Sequence, residues 1–350
     1  DLHRVDRRQR QMCIRDSIQT AFLGDAILSV PIIDSLKNKY KDSSITVLTT
    51  PQNKEVYTLN PNIDEIILYD KHGLENDVFS MIKKIKFLKG FGFDCVITNH
   101  PSARTALISY FSGAKLRIAP SSVSLKYLYT NTVNVENYSH QIDKNLALLK
   151  ILDFEEKDLV RKINLFYLKE DEKLINGVLE AFSVNDNKKI VVINPLSAWY
   201  TKRWPKEYYK ELALMLEQNG YLVLLIGTQK DINVGEYIKS NKKNIVNLMG
   251  KTNLKELFAV ISKANLLISN DSAPVHIASA YNIPTIEIYG PTLPEFGFYP
   301  LSEKNAIFEV KDLKCRPCGS HGGNSCKKSH FECMMRITPQ EVFKTAVEFL

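Results

Sequence analysis

The 350-residue chain has no run of about 18 uninterrupted apolar residues, so no segment reads as an ordinary transmembrane helix. Neither of two familiar phosphate-binding signatures is present. Gly250-Lys251-Thr252 imitates the end of a P-loop, but Ile245 stands where its first glycine belongs. Gly90-Phe91-Gly92 precedes a strand instead of following one, and Cys95 occupies the place of a third glycine. P-loop ATP hydrolysis and ordinary dinucleotide chemistry therefore lose support. Cysteine is also scarce, at six residues, and four of them crowd between Cys315 and Cys333. A small disulfide scaffold would spread them through a short chain, so the local cluster suits a cytosolic protein better. Low-complexity tracts and obvious internal repeats are absent.

What is present is close to a globular average, with 44% hydrophobic and 24% charged residues. That balance excludes disorder, collagen and coiled coil, and the length suggests about two domains. The net charge is +7, of which residues 1–16 supply +2 (five Arg against three Asp), leaving +5. So modest an excess, without a basic stripe interleaved with aromatics, argues against a nucleic-acid partner. Residues 1–16 are basic but lack the apolar core and cleavage site of a signal peptide, and are expected to be a disordered arm or an artefact.

From Ser17 onward, β-rich runs alternate with amphipathic stretches. Strands are predicted at 17–22, 45–49, 63–69 and 94–98, with helices at 26–40, 52–59, 77–87 and 102–111. A looser segment follows at 121–137, and then a helix at 141–152. A second series places strands at 189–194, 221–226, 245–248, 266–269 and 284–289, with helices at 206–219, 231–239, 253–263 and 274–281 between them. This βαβα rhythm predicts two α/β units with parallel sheets covered on both faces. The division is 17–165 and 166–337, and Thr338-Pro339-Gln340-Glu341 carries the start signals of a closing helix over 338–350.

In doubly wound sheets, ligands bind beyond the carboxyl ends of the strands, so the strand-to-helix turns are where chemistry is expected. Ser269-Asn270-Asp271-Ser272-Ala273-Pro274-Val275-His276 is the strongest such turn. The N–H groups at Ser272 and Ala273 suit a diphosphate, whereas Asp271 would repel phosphate unless it meets sugar hydroxyls or simply caps the helix. A second turn, from Pro195 to Pro205, contains Ser197 and sets Lys202-Arg203 between two Trp. It could clamp a phosphate, or be a solvated basic loop over a packed Trp204. Phe22-Leu23-Gly24-Asp25-Ala26 is the corresponding turn of the first unit, with Gly24 permitting close approach and Asp25 at the helix mouth.

These residues together resemble glycosyltransferase family nine, the bacterial ADP-heptose:lipopolysaccharide heptosyltransferases and their relatives. The resemblance rests on residues 18–31 (IQTAFLGDAILSVP), Lys202-Arg203-Trp204-Pro205, Ser269-Asn270-Asp271-Ser272 with His276, and Tyr289-Gly290-Pro291-Thr292. It spans roughly 17–350 and implies a GT-B fold: two Rossmann-like domains facing across a cleft, acceptor on the first and nucleotide-sugar donor on the second. The closing helix is then expected to pack back on the first domain. The resemblance implies an inverting transfer in which Asp25 is the base, while Lys202 neutralises the departing phosphates with Ser197, Ser272 and Ala273 assisting. Asp271 would hold the donor sugar, and Gly227, Thr228, Asp231, Thr252, Leu254 and His276 would complete the donor site, Asp231 toward the ribose. Family members often carry Gly in the position of Ala273, so the donor's distal sugar is open.

The resemblance implies a transfer that needs no divalent ion, so no cofactor is expected to be required, and the lack of any Asp-x-Asp argues against the metal-chelating motif of the other large glycosyltransferase class. The expected acceptor is a lipid-linked oligosaccharide of the lipopolysaccharide inner core, met by Gly24, Arg104 and Arg117, with Lys115 and Lys126 adding charge nearby. The expected location is cytoplasmic, peripheral on the inner membrane. Met81–Lys89 (MIKKIKFLK) is a basic amphipathic stretch that could touch anionic lipid, and a solvated helix face explains it equally well. Cys315, Cys318, Cys326 and Cys333, with His321 and His330 nearby, have spacing suited to a structural Zn²⁺, with disulfides or free thiols as the alternatives. Two other functions remain open at this point: a GT-B sugar-nucleotide epimerase and a non-enzymatic, zinc-stabilised binding module.

Overall fold

The computed structural model describes residues 17–19, 22–71, 73–100, 102–184 and 188–350. The expected N-terminal arm, 1–16, lies outside the described residues. The chain divides into two compact units, the first ending at Leu165 and the second running Phe166–Leu350.

The first unit contains β1 (Ser17–Gln19), α1 (Leu23–Lys39), β2 (Thr46–Thr49), α2 (Lys54–Tyr57), β3 (Glu65–Leu68) and α3 (Val78–Lys89). It continues with β4 (Cys95–Thr98), α4 (Ala103–Phe111), β5 (Leu116–Pro120), β6 (Asn131–Val133) and α5 (Gln141–Ala147). All six strands are parallel, in the order β3-β2-β1-β4-β5-β6. β2 and β4 are buried along their whole length, as a sheet with helices on both faces requires. α1 is buried from Ala26 to Leu36. Its Asp34 is tolerated there because Asn60, Asn62 and Asn164 all donate to its carboxylate, at 2.8–3.2 Å.

The second unit contains α6 (Lys173–Ala181), β7 (Ile190–Asn194), α7 (Lys206–Gln218), β8 (Leu222–Leu225), α8 (Ile232–Lys239) and β9 (Ile245–Asn247). After these come α9 (Leu254–Ser262), β10 (Leu266–Asn270), α10 (Ala273–Ala280), β11 (Thr285–Ile288), β12 (Asn305–Phe308), α11 (Glu332–Met335) and α12 (Pro339–Phe349). The order β12-β11-β10-β7-β8-β9 repeats, in each unit's own count, the 3-2-1-4-5-6 arrangement of the first sheet. The fold class is therefore α/β, two Rossmann-like units. In each, the strand order reverses beside the first strand, and that switch point opens a crevice at the carboxyl ends.

Two differences from the sequence reading have clear causes. The segment 121–137, expected to be loose, contains the edge strand β6, whose three residues are too few to show a period. The closing helix, expected on the first domain, is built into the second. Thr338 and Glu341 form the expected capping box. Val342 and Ala346 of α12 then enter the core formed by Leu212, Leu216 and Trp204, and the Trp204 indole donates to the Ile337 carbonyl at 3.0 Å. Phe343 and Phe349 pack against the same core.

Candidate active site

At the switch point of the second unit, β7 and β10 end side by side, with Asn194 paired to Ser269 in register. Asn194 is the last residue of an otherwise apolar buried strand, and its amide donates to Ser269 Oγ (3.0 Å), Ser272 Oγ (2.8 Å) and the Leu196 carbonyl (3.1 Å). One amide thus ties the loop after β7 to the turn that starts α10. Ser272 is the N-cap of α10, in extended conformation. The first N–H groups of a helix have no intrahelical partner, so this turn presents donors and the positive end of a helix dipole.

Lys202 reaches this turn from the loop before α7. Its ammonium lies 2.6 Å from Asp271 Oδ2, with both side chains nearly buried. Thr292, beyond β11, donates to the same carboxylate oxygen at 2.7 Å. The pair is set by its surroundings: Trp204 N–H donates to Asn270 Oδ1 at 2.9 Å, and Arg203 Nε donates to the Ser197 carbonyl at 2.8 Å. Arg203 is thereby a brace of the loop, while Lys202 points at the turn.

Glu287, fully buried on β11, is the unexpected member of this cluster. Burial pushes its pKa well above the usual carboxylate range, and Asp271 adds to the rise while Lys202 and Tyr289 oppose it. Burial in this setting favours the neutral form of the carboxyl group, while the ion pair of Lys202 is with Asp271.

Over the cluster runs the cysteine-rich segment. Arg316 donates to the Thr292 carbonyl (2.7 Å) and to Glu309 (3.1 Å), and Cys318 N–H donates to the Pro291 carbonyl (2.9 Å). Gly323 exchanges hydrogen bonds with Thr201. Gly322, at φ +83°, lies so close that a Cβ there would sit 3.0 Å from Thr201 Oγ1 and 3.4 Å from Lys202 Cγ. Only a glycine satisfies both the backbone angle and the approach.

Among the described residues no three His, Cys, Asp or Glu groups gather closely enough to hold a metal, and Cys315, Cys318, Cys326 and Cys333 are free thiols. The four lie near enough to influence one another: burial comes first in raising the Cys318 thiol, and Cys315 and Cys326 add to the rise. Cys333 joins the apolar core and burial raises its pKa to about 11. Cys318 donates to the Cys315 carbonyl at 3.1 Å, and Cys315 Sγ lies 3.8 Å from His330 Nε2. Burial is the largest single influence on the Cys326 thiol and raises it, but the backbone amides of Phe331, Lys328, Ser329 and His330 together outweigh it and hold the pKa below the ordinary value.

The remaining expected donor residues fall on neighbouring turns of the same unit. Gly227, Thr228 and Asp231 follow β8, and Thr252 and Leu254 lie where α9 begins. Gly250 N–H donates to the Gly227 carbonyl at 3.0 Å and ties the two turns together. Asp231 closes its own turn, with Oδ2 accepting from Thr228 N (2.8 Å) and Oγ1 (2.6 Å). Ala273 opens α10, and His276, buried one turn later, has its ring 6.3 Å from that of Phe298.

In the first unit, Gly24 and the half-buried Asp25 form the first turn of α1, where the helix dipole favours a carboxylate. Tyr57 lies beneath, with its hydroxyl 2.9 Å from Ser29 Oγ, and Asp25 contributes to raising its pKa after burial, the larger cause. The guanidiniums expected for the acceptor are engaged with carbonyls of their own unit. Arg104 donates to Lys71 and Asn76, and Arg117 to Leu128 and Ala114. Asn194, Glu287, Gly322 and Arg316 escaped the sequence reading. Glu287 alone left a signal there, a charge inside the apolar run Pro284–Tyr289.

Comparison with known proteins agrees with this architecture. Residues 81–328, more than half of the chain, match glycosyltransferase family 9 (heptosyltransferase). The chain is 27% identical to lipooligosaccharide heptosyltransferase 2 of Haemophilus influenzae, over 95% of this chain and 98% of that one. Two solved structures share the fold. A family 9 glycosyl transferase of Veillonella parvula superposes with a TM-score of 0.84 at 23% identity, covering 96% of each chain. The ADP-heptose lipopolysaccharide heptosyltransferase II of Escherichia coli does so with a TM-score of 0.76 at 22% identity, covering 96% of this chain and 98% of that one. The chain belongs to glycosyltransferase family 9, the heptosyltransferase family, and is a glycosyltransferase of the GT-B class.

Proposed function

We propose that this enzyme transfers a heptose, or a closely related sugar, from ADP-heptose or another nucleotide sugar to the inner core of lipopolysaccharide. Transfer proceeds with inversion and needs no divalent ion. The observation that carries the reading is the nearly buried Lys202–Asp271 pair at the N-terminus of α10, with Thr292 on the same carboxylate. A diphosphate at this turn meets backbone donors, the positive end of a helix and a lysine that needs only a small swing from Asp271. As the glycosidic phosphate departs, Lys202 takes up its growing charge. Asp271, relieved of part of its ion pair, accepts from the donor sugar's hydroxyls. Ser197 and the Ser272 and Ala273 amides assist at the phosphates, and the turns at Gly227–Asp231 and Thr252–Leu254 hold the nucleoside.

Asp25 is the base in this scheme. It removes the proton from the acceptor hydroxyl as that oxygen attacks the anomeric carbon, so one bond forms while the bond to the diphosphate breaks. Nothing in the scheme routes through a metal.

Melting-temperature shifts with ADP-, UDP-, GDP- and dTDP-sugars test the donor, because a ligand bound by the native state alone raises the transition. Preference for the ADP-sugar supports the heptose assignment, and preference for UDP overturns that assignment. Acceptor-dependent release of ADP in the presence of a chelator tests the rest. Product formed without any acceptor would instead identify an epimerase.

A further inference from the structure

α3 has more apolar surface than the fold uses. Its inward side is ordinary: Leu88 is buried, and Met81 and Ile85 pack against a core containing Ile67, Tyr69 and Phe93. Lys84 is also turned inward, donating to the Leu68 carbonyl at 2.6 Å and pairing with Glu75 at 3.0 Å. The outward side carries Val78, Phe79, Ile82 and Phe87, each more than half exposed, with Phe79 at 78%. Leu74, in the preceding loop, is 91% exposed.

At about 100° per residue, the outward positions follow one another around the helix as Val78, Lys89, Ile82, Lys86, Phe79, Lys83 and Phe87, an arc of roughly 180°. All seven are exposed. The arc alternates apolar side chains with lysines and contains no acidic residue. Lys89 also lies against the turn after α4, its Cγ 3.8 Å from where a Cβ on Gly113 would be, so the half-exposed Tyr110 and Phe111 extend the surface beyond the helix end.

We propose that this face of α3 docks on the surface of an anionic lipid bilayer. The surface is a convex helix, not a groove, so it does not suit the insertion of a partner's side chains. Apolar groups fanned across such a face can enter the boundary between headgroups and acyl chains, while interleaved lysines extend along their own stems toward lipid phosphates. The charge pattern selects among lipids: with three lysines and no carboxylate, the face complements a negative membrane surface. The inference does not depend on the chemistry proposed above.

Co-sedimentation of the full chain with phosphatidylcholine vesicles, with and without phosphatidylglycerol, tests it. Binding is expected to require phosphatidylglycerol and to fall as salt rises. Combined Lys83→Gln, Lys86→Gln and Lys89→Gln should weaken it by roughly fivefold per lysine, and Phe79→Ser with Ile82→Ser by about tenfold or more. Since all five side chains are exposed, melting temperature and turnover on a soluble acceptor should match the parent. Failure of the parent to bind anionic vesicles, or equal binding by all three proteins, would overturn the proposal. So would a dimer on size exclusion that Phe79→Ser with Ile82→Ser dissociates while vesicle binding stays the same, since a second copy would then cover the face.

Discussion

The two units share one strand order and use their switch points differently. The second unit crowds Lys202, Asp271, Thr292, Asn194 and the buried Glu287 around the start of α10, each held by hydrogen bonds, ion pairing or burial. In the first, a half-buried carboxylate, Asp25, stands in the opening turn of a long helix. Identical topology therefore sets where the strand ends open, and the side chains at that place decide how much charge and how many hydrogen bonds are gathered there. The first unit also differs on its outside, where α3 exposes an apolar and basic face.

Separating the two switch points by mutation is the sharpest way to challenge this contrast. Asp25→Ala should lower turnover by about 10²–10⁴-fold while the dissociation constant for ADP stays within a factor of two, as measured by calorimetry. Retained turnover, or loss of ADP binding, would erase the division of labour. Lys202→Ala should cost about 10²–10³-fold in kcat/KM and, unlike Asp25→Ala, should also weaken donor binding. It also leaves Asp271 without its ion partner, so a lower melting temperature should accompany the kinetic defect. Thr292→Val removes one buried hydrogen bond to a charged acceptor, worth about 1.5–3 kcal/mol, and should lower the melting temperature by several degrees while raising KM for the donor.

Glu287 offers a smaller, pH-dependent test. Its native pKa is raised, so as pH climbs through the ordinary carboxylate range the unfolded chain releases the proton first and the native state loses stability. Glu287→Gln removes that loss and should raise the melting temperature by about 2–4 °C at pH 8, with no gain near pH 4. An equal shift at both values would mean that Glu287 is ionised in the native protein. The mildest effect concerns the thiols over the site. Alkylation followed by mass spectrometry should modify Cys326 before Cys333 at neutral pH, since backbone amides favour the thiolate of the first and burial suppresses that of the second.

Much of the fold was legible because its signals are local. β7, β8 and β10 are short apolar runs bounded by turns, and the Thr338 capping box marks the start of α12 within four residues. The turn at Ser269–His276 was visible for the same reason: polar residues follow a buried strand and lead into a helix. β6 was not legible, being three residues on a sheet edge. Nor was the destination of α12, because an amphipathic face records that a helix will be buried and not against what.

By itself the sequence determined the two α/β units, the turns that could hold chemistry and the residue types in them. Tertiary structure alone decided that Lys202 would meet Asp271 and Thr292 from segments 21 to 90 residues apart. It also decided that Gly322 would pass close to Thr201 and Lys202 and that a buried glutamate inside β11 would lie near Asp271 and Lys202. Period and propensity act over one helical turn or one strand. Desolvation and charge pairing depend on which distant segments a packed sheet brings to the same edge, and no local pattern encodes that.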